Sequence, residues 1–266
     1  MTAEVVTLGQ EESGEPGVSH ISHSQLSKYL TCPEQYRLHY LERLRRRVPS
    51  ANLAFGSVVH DALASLFRSG EDPVAAFQAH WASLREIELD YSRKGTWDKL
   101  RQAGEVLLAR FALDAMPRLS NIAAVEKRFE LSITSLDLPL VGIVDLVADI
   151  DGTRTVIDFK SATRAYERHE VVLSDQLTCY QLADPEASQV AFCVLIKRKE
   201  PKIEWHVSKR SPAELAEYLA KIAHVARETA AGNFYKRPGM WCTWCDFLPV
   251  CMGDHKRIRE TLIQVR

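Results

Sequence analysis

Along this chain the spacing of apolar positions changes once, from a helical period to a period of two, and the change divides it. Residues 1–20 are polar, carry Gly14, Pro16 and Gly17 and show no apolar period, so a flexible tail is expected. Order should begin at Ile21-Ser22-His23-Ser24, which reads as a helix N-cap region. Through residues 25–47, Leu26, Tyr29 and Leu30, then Tyr36, Tyr40 and Leu44, recur at helical spacing, with Pro33 breaking or restarting the helix. Residues 56–70 place Val59, Leu63, Leu66 and Phe67 on one helix face and stop at Gly70. Two further helical runs cover 72–91 and 97–116, the second stopped by Pro117. The period then falls to two. Residues 124–134 alternate as a half-buried strand, 138–150 are rich in β-formers, Asp151-Gly152 marks a hairpin turn, and 153–160 form the returning strand. A helix over 174–183, strands over 189–197 and 202–207, and a Ser-capped helix over 211–232 complete the pattern, without internal repeats. Helices first, then antiparallel strands, helix, strands and helix predict an α+β fold: a mixed central sheet flanked by helices, with a helical N-terminal elaboration.

Composition narrows the classes. With 46% hydrophobic and 26% charged side chains, the 266 residues are not collagen-like, low-complexity or wholly disordered. The formal net charge of −1 supplies no global basic field for nucleic acid, although a local basic stripe would suffice. No apolar run approaches the roughly 18 residues that span a bilayer, and the first residues lack the basic and apolar regions of a secretory leader. A cytoplasmic protein with no membrane partner is expected. In a reducing compartment the 6 cysteines are not a disulfide framework, and clustered ones lean toward metal.

The most specific chemistry sits on the central hairpin. Alternation sends Asp158 and Lys160 to one face of their strand and Ile157 and Phe159 to the other, while Asp145 on the adjacent strand can reach the same end. Two carboxylates beside a lysine suit a hard divalent ion such as Mg²⁺ or Mn²⁺. A cross-strand salt-bridge cluster is the competing explanation, and a lone Asp-x-Lys is commonplace. Three neighbours add weight: the Gly56–His60 stretch opening a helix, His60 itself as a further ligand, and Gln176 with Tyr180, four apart on one helix face. Cys242, Cys245 and Cys251 form a C-x₂-C-x₅-C array that needs a fourth thiolate, for which Cys32 is the candidate. Such a site takes Zn²⁺ or an iron–sulfur cluster; one remote cysteine with a tight C-terminal trio leans to iron–sulfur. Its expected role is a clasp of the C-terminal tail on the N-terminal helix, worth about 5 kcal/mol at most as a cross-link. Cys179 and Cys193 lie in apolar segments and are expected to be inert.

Six elements together carry a resemblance: Ser22–Tyr40 (SxSQLxxYLTCPxxYRLxY), Phe55–Leu63 (FGSVVHDAL), Gly142–Val147 (GIVDLV), Val156–Ala162 (VIDFKSA), Gln176–Ala183 (QLTCYQLA) and Cys242–Cys251. The sequence resembles PD-(D/E)XK nucleases of the RecB type. It is most similar to CRISPR-associated iron–sulfur exonucleases, their phage relatives and AddB-like nuclease domains. The resemblance implies a restriction-endonuclease-like core, with His60, Asp145, Asp158 and the Phe159 carbonyl binding metal. Lys160 would position or activate the attacking water, Gln176 and Tyr180 would fill the supporting motif, and Cys32, Cys242, Cys245 and Cys251 would hold a [4Fe–4S] cluster. Glu126 is a candidate assistant. DNA contact is expected from Arg43, Arg45, Arg46 and Arg47, from Lys197, Arg198 and Lys199, from Lys236 and Arg237, and from the aromatics Tyr36 and Tyr40. One nuclease domain over 21–266 is expected, with a helical part at 21–118, the core at 119–232 and a cysteine segment at 233–266. The implied function is a Mg²⁺- or Mn²⁺-dependent DNA exonuclease acting on single-stranded ends, in recombination, phage DNA processing or CRISPR spacer trimming. Protein partners in recombination or CRISPR adaptation, and self-association, stay open. So do two other readings: a DNA-end measuring subunit with little cleavage, and a redox-sensing iron–sulfur DNA-binding protein.

Overall fold

The computed structural model describes residues 19–91, 95–133, 136 and 138–265; the expected tail, apart from Ser19 and His20, lies outside them. In chain order the elements are β1 (Ile21–Ser22), α1 (His23–Thr31), α2 (Pro33–Tyr36), a π-helical turn (Arg37–Leu41), β2 (Leu44–Arg46), α3 (Ala51–Ser69), α4 (Pro73–Ser83) and α5 (Trp97–Asp114). The strands β3 (Leu119–Leu131), β4 (Leu140–Ile150) and β5 (Thr153–Ala162) follow, then α6 (Arg168–Val172), α7 (Asp175–Ala183), β6 (Gln189–Ile196), β7 (Lys202–Ser208) and α8 (Pro212–Ala230). The C-terminal segment holds a 3₁₀ turn (Met240–Trp244), α9 (Leu248–Met252), α10 (His255–Thr261) and β8 (Leu262–Gln264).

The main sheet runs β1-β4-β5-β6-β7, with β3 on the other edge of β4. It is mixed: β3, β4 and β5 are antiparallel, β5 and β6 are parallel through the α6–α7 crossover, and β7 returns antiparallel. Asp151 and Gly152 close the β4–β5 hairpin with φ of 49° and 81°, the left-handed pair that a tight two-residue turn requires. Strict alternation along β6 splits its side chains between two cores. Val190, Phe192, Val194 and Ile196 pack with α1, α2, α7 and α8, while Ala191, Cys193 and Leu195 pack with α3, α4 and α5. A sheet covered on both faces explains why β6 reads as an unbroken apolar run.

The α+β expectation with a mixed, helix-flanked sheet holds, and several boundaries move. The helical run expected over 25–47 ends α1 at Thr31, where Cys32 is extended (φ −162°, ψ 113°), as a residue before proline prefers. Leu44, assigned to that helix by spacing, belongs to β2 and pairs with β8. The run over 72–91 leaves the helix after Ser83, because the Asp90 main chain bonds to Pro49 and Ala51 and so braces the start of α3. β3 begins at Leu119, not 124, across an irregularity between Ser120 and Ala124.

Gly104 of α5 faces Phe77 of α4 so closely that a Cβ there would stand 2.1 Å from the ring. Alanine normally stabilises a helix interior relative to glycine. Here overpacking a buried ring should reverse the sign, so Gly104→Ala should lose about 1–3 kcal/mol, read as a lower midpoint in urea unfolding.

Candidate active site

The site forms where the sheet opens. The β4–β5 ladder is regular up to Leu146 opposite Ile157, and beyond that pair the strands separate. Facing also slips there: Val144 packs into the α1/α7 core whereas Leu146 packs into the α3/α5 core, so the alternation of β4 breaks at Asp145. The Asp145 carboxylate takes the place of a main-chain partner, its Oδ2 accepting the Phe159 N–H at 2.8 Å. Phe159 is pinned from behind by its ring, stacked on Phe67 (6.0 Å, 6°) and edge-on to Phe111. That anchoring fixes the two residues flanking it, Asp158 and Lys160.

Through the opening, groups from both helical layers meet. His60, on α3, brings Nδ1 to 3.3 Å from Asp145 Oδ2. From the opposite layer, Gln176 of α7 donates through Nε2 to Asp158 Oδ1 (2.8 Å) and to the Tyr180 hydroxyl (3.1 Å). α7 is itself fixed: Ser174 caps its start, and Lys221 of α8 pairs with Asp175 at 2.7 Å. Lys160 Nζ lies 2.7 Å from Asp158 Oδ2 and 5.4 Å from the centre of the Phe192 ring. The structure thus gathers His60, Asp145, Asp158, Lys160, Gln176 and Tyr180, residues drawn from four elements.

Their electrostatics are those of a buried charged cluster. Asp158 is only 2% exposed, and the Lys160 side chain is half-buried. Burial, opposed by Lys160 and reinforced by the Asp145 charge, pushes the Asp158 carboxyl up to about 6. Burial acts against the charged forms of Lys160 and His60 too. The nearby carboxylates outweigh it, so Lys160 is raised by Asp158 and His60 by its bond to Asp145. Tyr180 is raised by burial and the two carboxylates, which keeps its hydroxyl protonated.

Among the described residues no three His, Cys, Asp or Glu side chains converge closely enough to ligate one ion as they stand. Two carboxylates nevertheless match what Mg²⁺ asks of a protein, since it keeps several waters and takes its remaining oxygens from substrate phosphates. Asp158 Oδ2 is buried, and its partner is the Lys160 ammonium at 2.7 Å, off line for a hydrogen bond, so the oxygen keeps a lone pair that a metal ion could take.

The four cysteines come from both ends of the chain into one corner. Cys32 is buried, Cys242, Cys245 and Cys251 are half-buried, and none is disulfide-bonded. Cys251 lies within electrostatic reach of Cys245 and Cys32, and Cys245 of Cys242. N–H groups face two of the sulfurs: the Arg237 amide at 3.4 Å from Cys32 Sγ and Gln35 Nε2 at 3.1 Å from Cys245 Sγ. Such donors accompany metal-bound thiolates. Cys179 and Cys193 are buried in the two cores, where burial pushes the Cys179 thiol up to about 11.

Among the expected DNA contacts, Tyr36 needs correction. Tyr36 is 2% exposed and stacks on Phe234 (5.9 Å, 9°), so it is a core residue. Arg45 donates to the His39 and Leu44 carbonyls, Arg46 pairs with Asp90 and Asp246, and Arg47 donates to the Arg259 carbonyl. Arg46 and Arg47 thus reach the C-terminal segment at Asp246 and Arg259, a role that a charge run cannot reveal. Glu126 pairs with Arg68 at a left-handed position in β3 (φ 46°). Spacing gave no sign of Tyr166, whose ring packs edge-on against Phe192 (5.6 Å) beside Lys160; it stands in the irregular stretch between β5 and α6.

A family model described as the PD-(D/E)XK nuclease superfamily matches residues 20–252. Among solved structures, the chain is similar to a "putative exonuclease" from Eubacterium rectale, with 14% identity, 85% of this chain and 87% of that one covered, and a TM-score of 0.55. A second, named SSO0001, matches at 15% identity over 86% of this chain and 92% of that one, with a TM-score of 0.37. No curated protein matches the sequence.

Excess Mn²⁺ should raise the thermal midpoint of the wild-type protein at pH 7 and leave that of Asp158→Ala unmoved. Binding needs the ionised carboxylate, so the Mn²⁺ shift should shrink as pH falls through about 6, where Asp158 takes up its proton. Differential scanning fluorimetry from pH 5 to pH 8 (on the order of unit steps) reads both.

Proposed function

The chain belongs to the PD-(D/E)XK nuclease superfamily, and we propose that within it the protein is a Mg²⁺- or Mn²⁺-dependent DNA exonuclease acting on single-stranded ends. The observation that carries the catalytic reading is the meeting of Asp145, Asp158, Lys160 and Gln176 at the opening between β4 and β5. Asp145, Asp158 and the Phe159 carbonyl would hold the ion, with His60 beside Asp145. Bound there, the ion supplies a polarised water and neutralises charge on the scissile phosphate.

The protein's own groups do the rest. Gln176 orients Asp158 by occupying Oδ1, leaving Oδ2 toward Lys160. Lys160, kept protonated by its carboxylate neighbours, orients water through its N–H groups and stabilises negative charge that develops on the phosphate. Tyr180 completes the chain of hydrogen bonds behind Gln176. Residues 21–266 act as one domain in this reading, and recombination, phage DNA processing and CRISPR spacer trimming are the settings it fits.

Cys32, Cys242, Cys245 and Cys251 would hold a [4Fe–4S] cluster, with Zn²⁺ the lesser alternative. The support is their gathering into one corner with N–H donors aimed at two sulfurs. The cluster's role is structural: it would fasten the 233–266 segment to α1 and α2.

Mn²⁺-dependent release of nucleotides from end-labelled single strands is expected from the wild type. Asp158→Ala and Lys160→Ala should each lose about 10²–10³-fold or more, the scale set by removing one preorganised electrostatic group. Wild-type turnover by Asp158→Ala, with contaminating nuclease excluded, would sink the site. Protein purified without oxygen should be brown and carry about four iron and four sulfide per chain. Cys32→Ala should lose the colour as fully as Cys245→Ala, while Cys179→Ala retains it. Colourless protein with stoichiometric Zn²⁺ would replace the iron and keep the clasp.

A further inference from the structure

A groove of about 800 Å³ opens beside His60, between the first turns of α3 and the end of β5. Asn52, Ser57, Ser161 and Thr163 line it, and among the described residues none of these side chains bonds to another protein group. Lys197 enters from just beyond β6. Its main-chain N–H donates to the Ala162 carbonyl at 2.7 Å, and its ammonium lies 4.2 Å from the centre of the buried Phe55 ring. No carboxylate of the described residues pairs with that ammonium, and burial is the influence acting on it, lowering its pKa. Its chain neighbours Arg198 and Lys199 are exposed and do not line the groove, and Arg164 at the rim is already paired with Glu170 at 2.6 Å.

The groove's lining also includes two carboxylates, Glu170 held by Arg164 and Asp61 one residue past His60, neither paired with Lys197. A half-buried ammonium without a counter-ion, among neutral donors that have no protein acceptor, is still the complement of an anion that also accepts hydrogen bonds. The groove shares His60 with the carboxylate cluster, so an anionic chain cut at that cluster would extend into it.

We propose that this groove receives the sugar–phosphate backbone of the DNA strand and that Lys197 pairs with a phosphate next to the one cleaved. Asn52, Ser57, Ser161 and Thr163 donate hydrogen bonds around that phosphate and its sugar. The assignment rests on the nuclease reading above and adds to it the path of the strand.

The test is equilibrium binding of a fluorescent single-stranded oligonucleotide, with EDTA present to prevent hydrolysis, over a range of NaCl concentrations. Wild type, Lys197→Met, Lys197→Arg and Ser57→Glu are compared, and urea midpoints check folding. Lys197→Met keeps the aliphatic stem over Phe55 and should bind about tenfold more weakly, as for one lost charge-assisted hydrogen bond. Its plot of log affinity against log salt should be shallower by about 0.7, one single-strand phosphate contact. Lys197→Arg should restore both. Ser57→Glu, at an exposed position on the same wall, should weaken binding at least as much, so a poorly folding Lys197 variant leaves the proposal open to refutation. Wild-type affinity and slope in a folded Lys197→Met, or wild-type affinity in Ser57→Glu, overturns the groove and leaves the nuclease reading standing. A wild type that neither binds nor, with Mn²⁺, cleaves DNA overturns both.

Discussion

The hydrogen bond from the Phe159 amide to the Asp145 carboxylate is the contact on which the centre of this molecule depends. An antiparallel pair of strands normally fills every inner N–H from the facing main chain. Here β4 and β5 part after Leu146 and Ile157, and a side chain supplies the missing acceptor. A bond to a charged acceptor is worth about 1.5–3 kcal/mol, enough to hold the fork at one width. An uninterrupted ladder would leave no route between the two faces, and His60 and Gln176 belong to opposite layers. The fork lets them approach carboxylates on neighbouring strands.

Asp158 shows what such an opening costs. A carboxylate that is 2% exposed is held by one ion pair and one amide, and burial still pushes its pKa upward because those two do not fully replace the lost water. Buried charge of this kind is poor stabilisation. It becomes useful where the missing compensation is a cation brought in by function. The surrounding packing carries the burden: Phe159, Phe67 and Phe111 form an aromatic block behind the strand, and Ser174 and Lys221 fix the helix that presents Gln176.

Most of the candidate active-site cluster was legible because it obeys short-range rules. Period-two alternation separates Asp158 and Lys160 from Ile157 and Phe159, and a spacing of four places Gln176 with Tyr180. The helix of His60 and the turn at Asp151-Gly152 are local signals as well. The illegible parts depend on partners distant in sequence. β1 and β2 are two and three residues long, too short for a period, and exist because β4 and β8 pair with them. The slip of facing at Asp145 comes from the divergence of two strands and has no sequence sign. Charge runs hid a second role. Arg45, Arg46 and Arg47 look like a phosphate track, and they also give donors to backbone and acidic groups of the fold, because an arginine satisfies a distant carbonyl as readily as a ligand.

Those arginines also change how the two ends of the chain are joined. Cysteines at both ends suggest that the clasp alone holds the C-terminal segment, with packing as the only other tie. The structure provides more: β2 pairs with β8, Tyr29 donates to the Asn233 carbonyl, Glu34 bonds to the Tyr235 main chain, and Arg47 caps the end of α10. Leu38, Phe247 and Leu262 form a small core of their own beneath these bonds. A cluster at Cys32 would therefore lock an interface that protein contacts already form. Its loss should loosen the corner around Cys242–Cys251 while the β2–β8 ladder persists. The metal would then tune the rigidity of one corner, and the fork at Asp145, built into the main sheet, would keep its geometry without it.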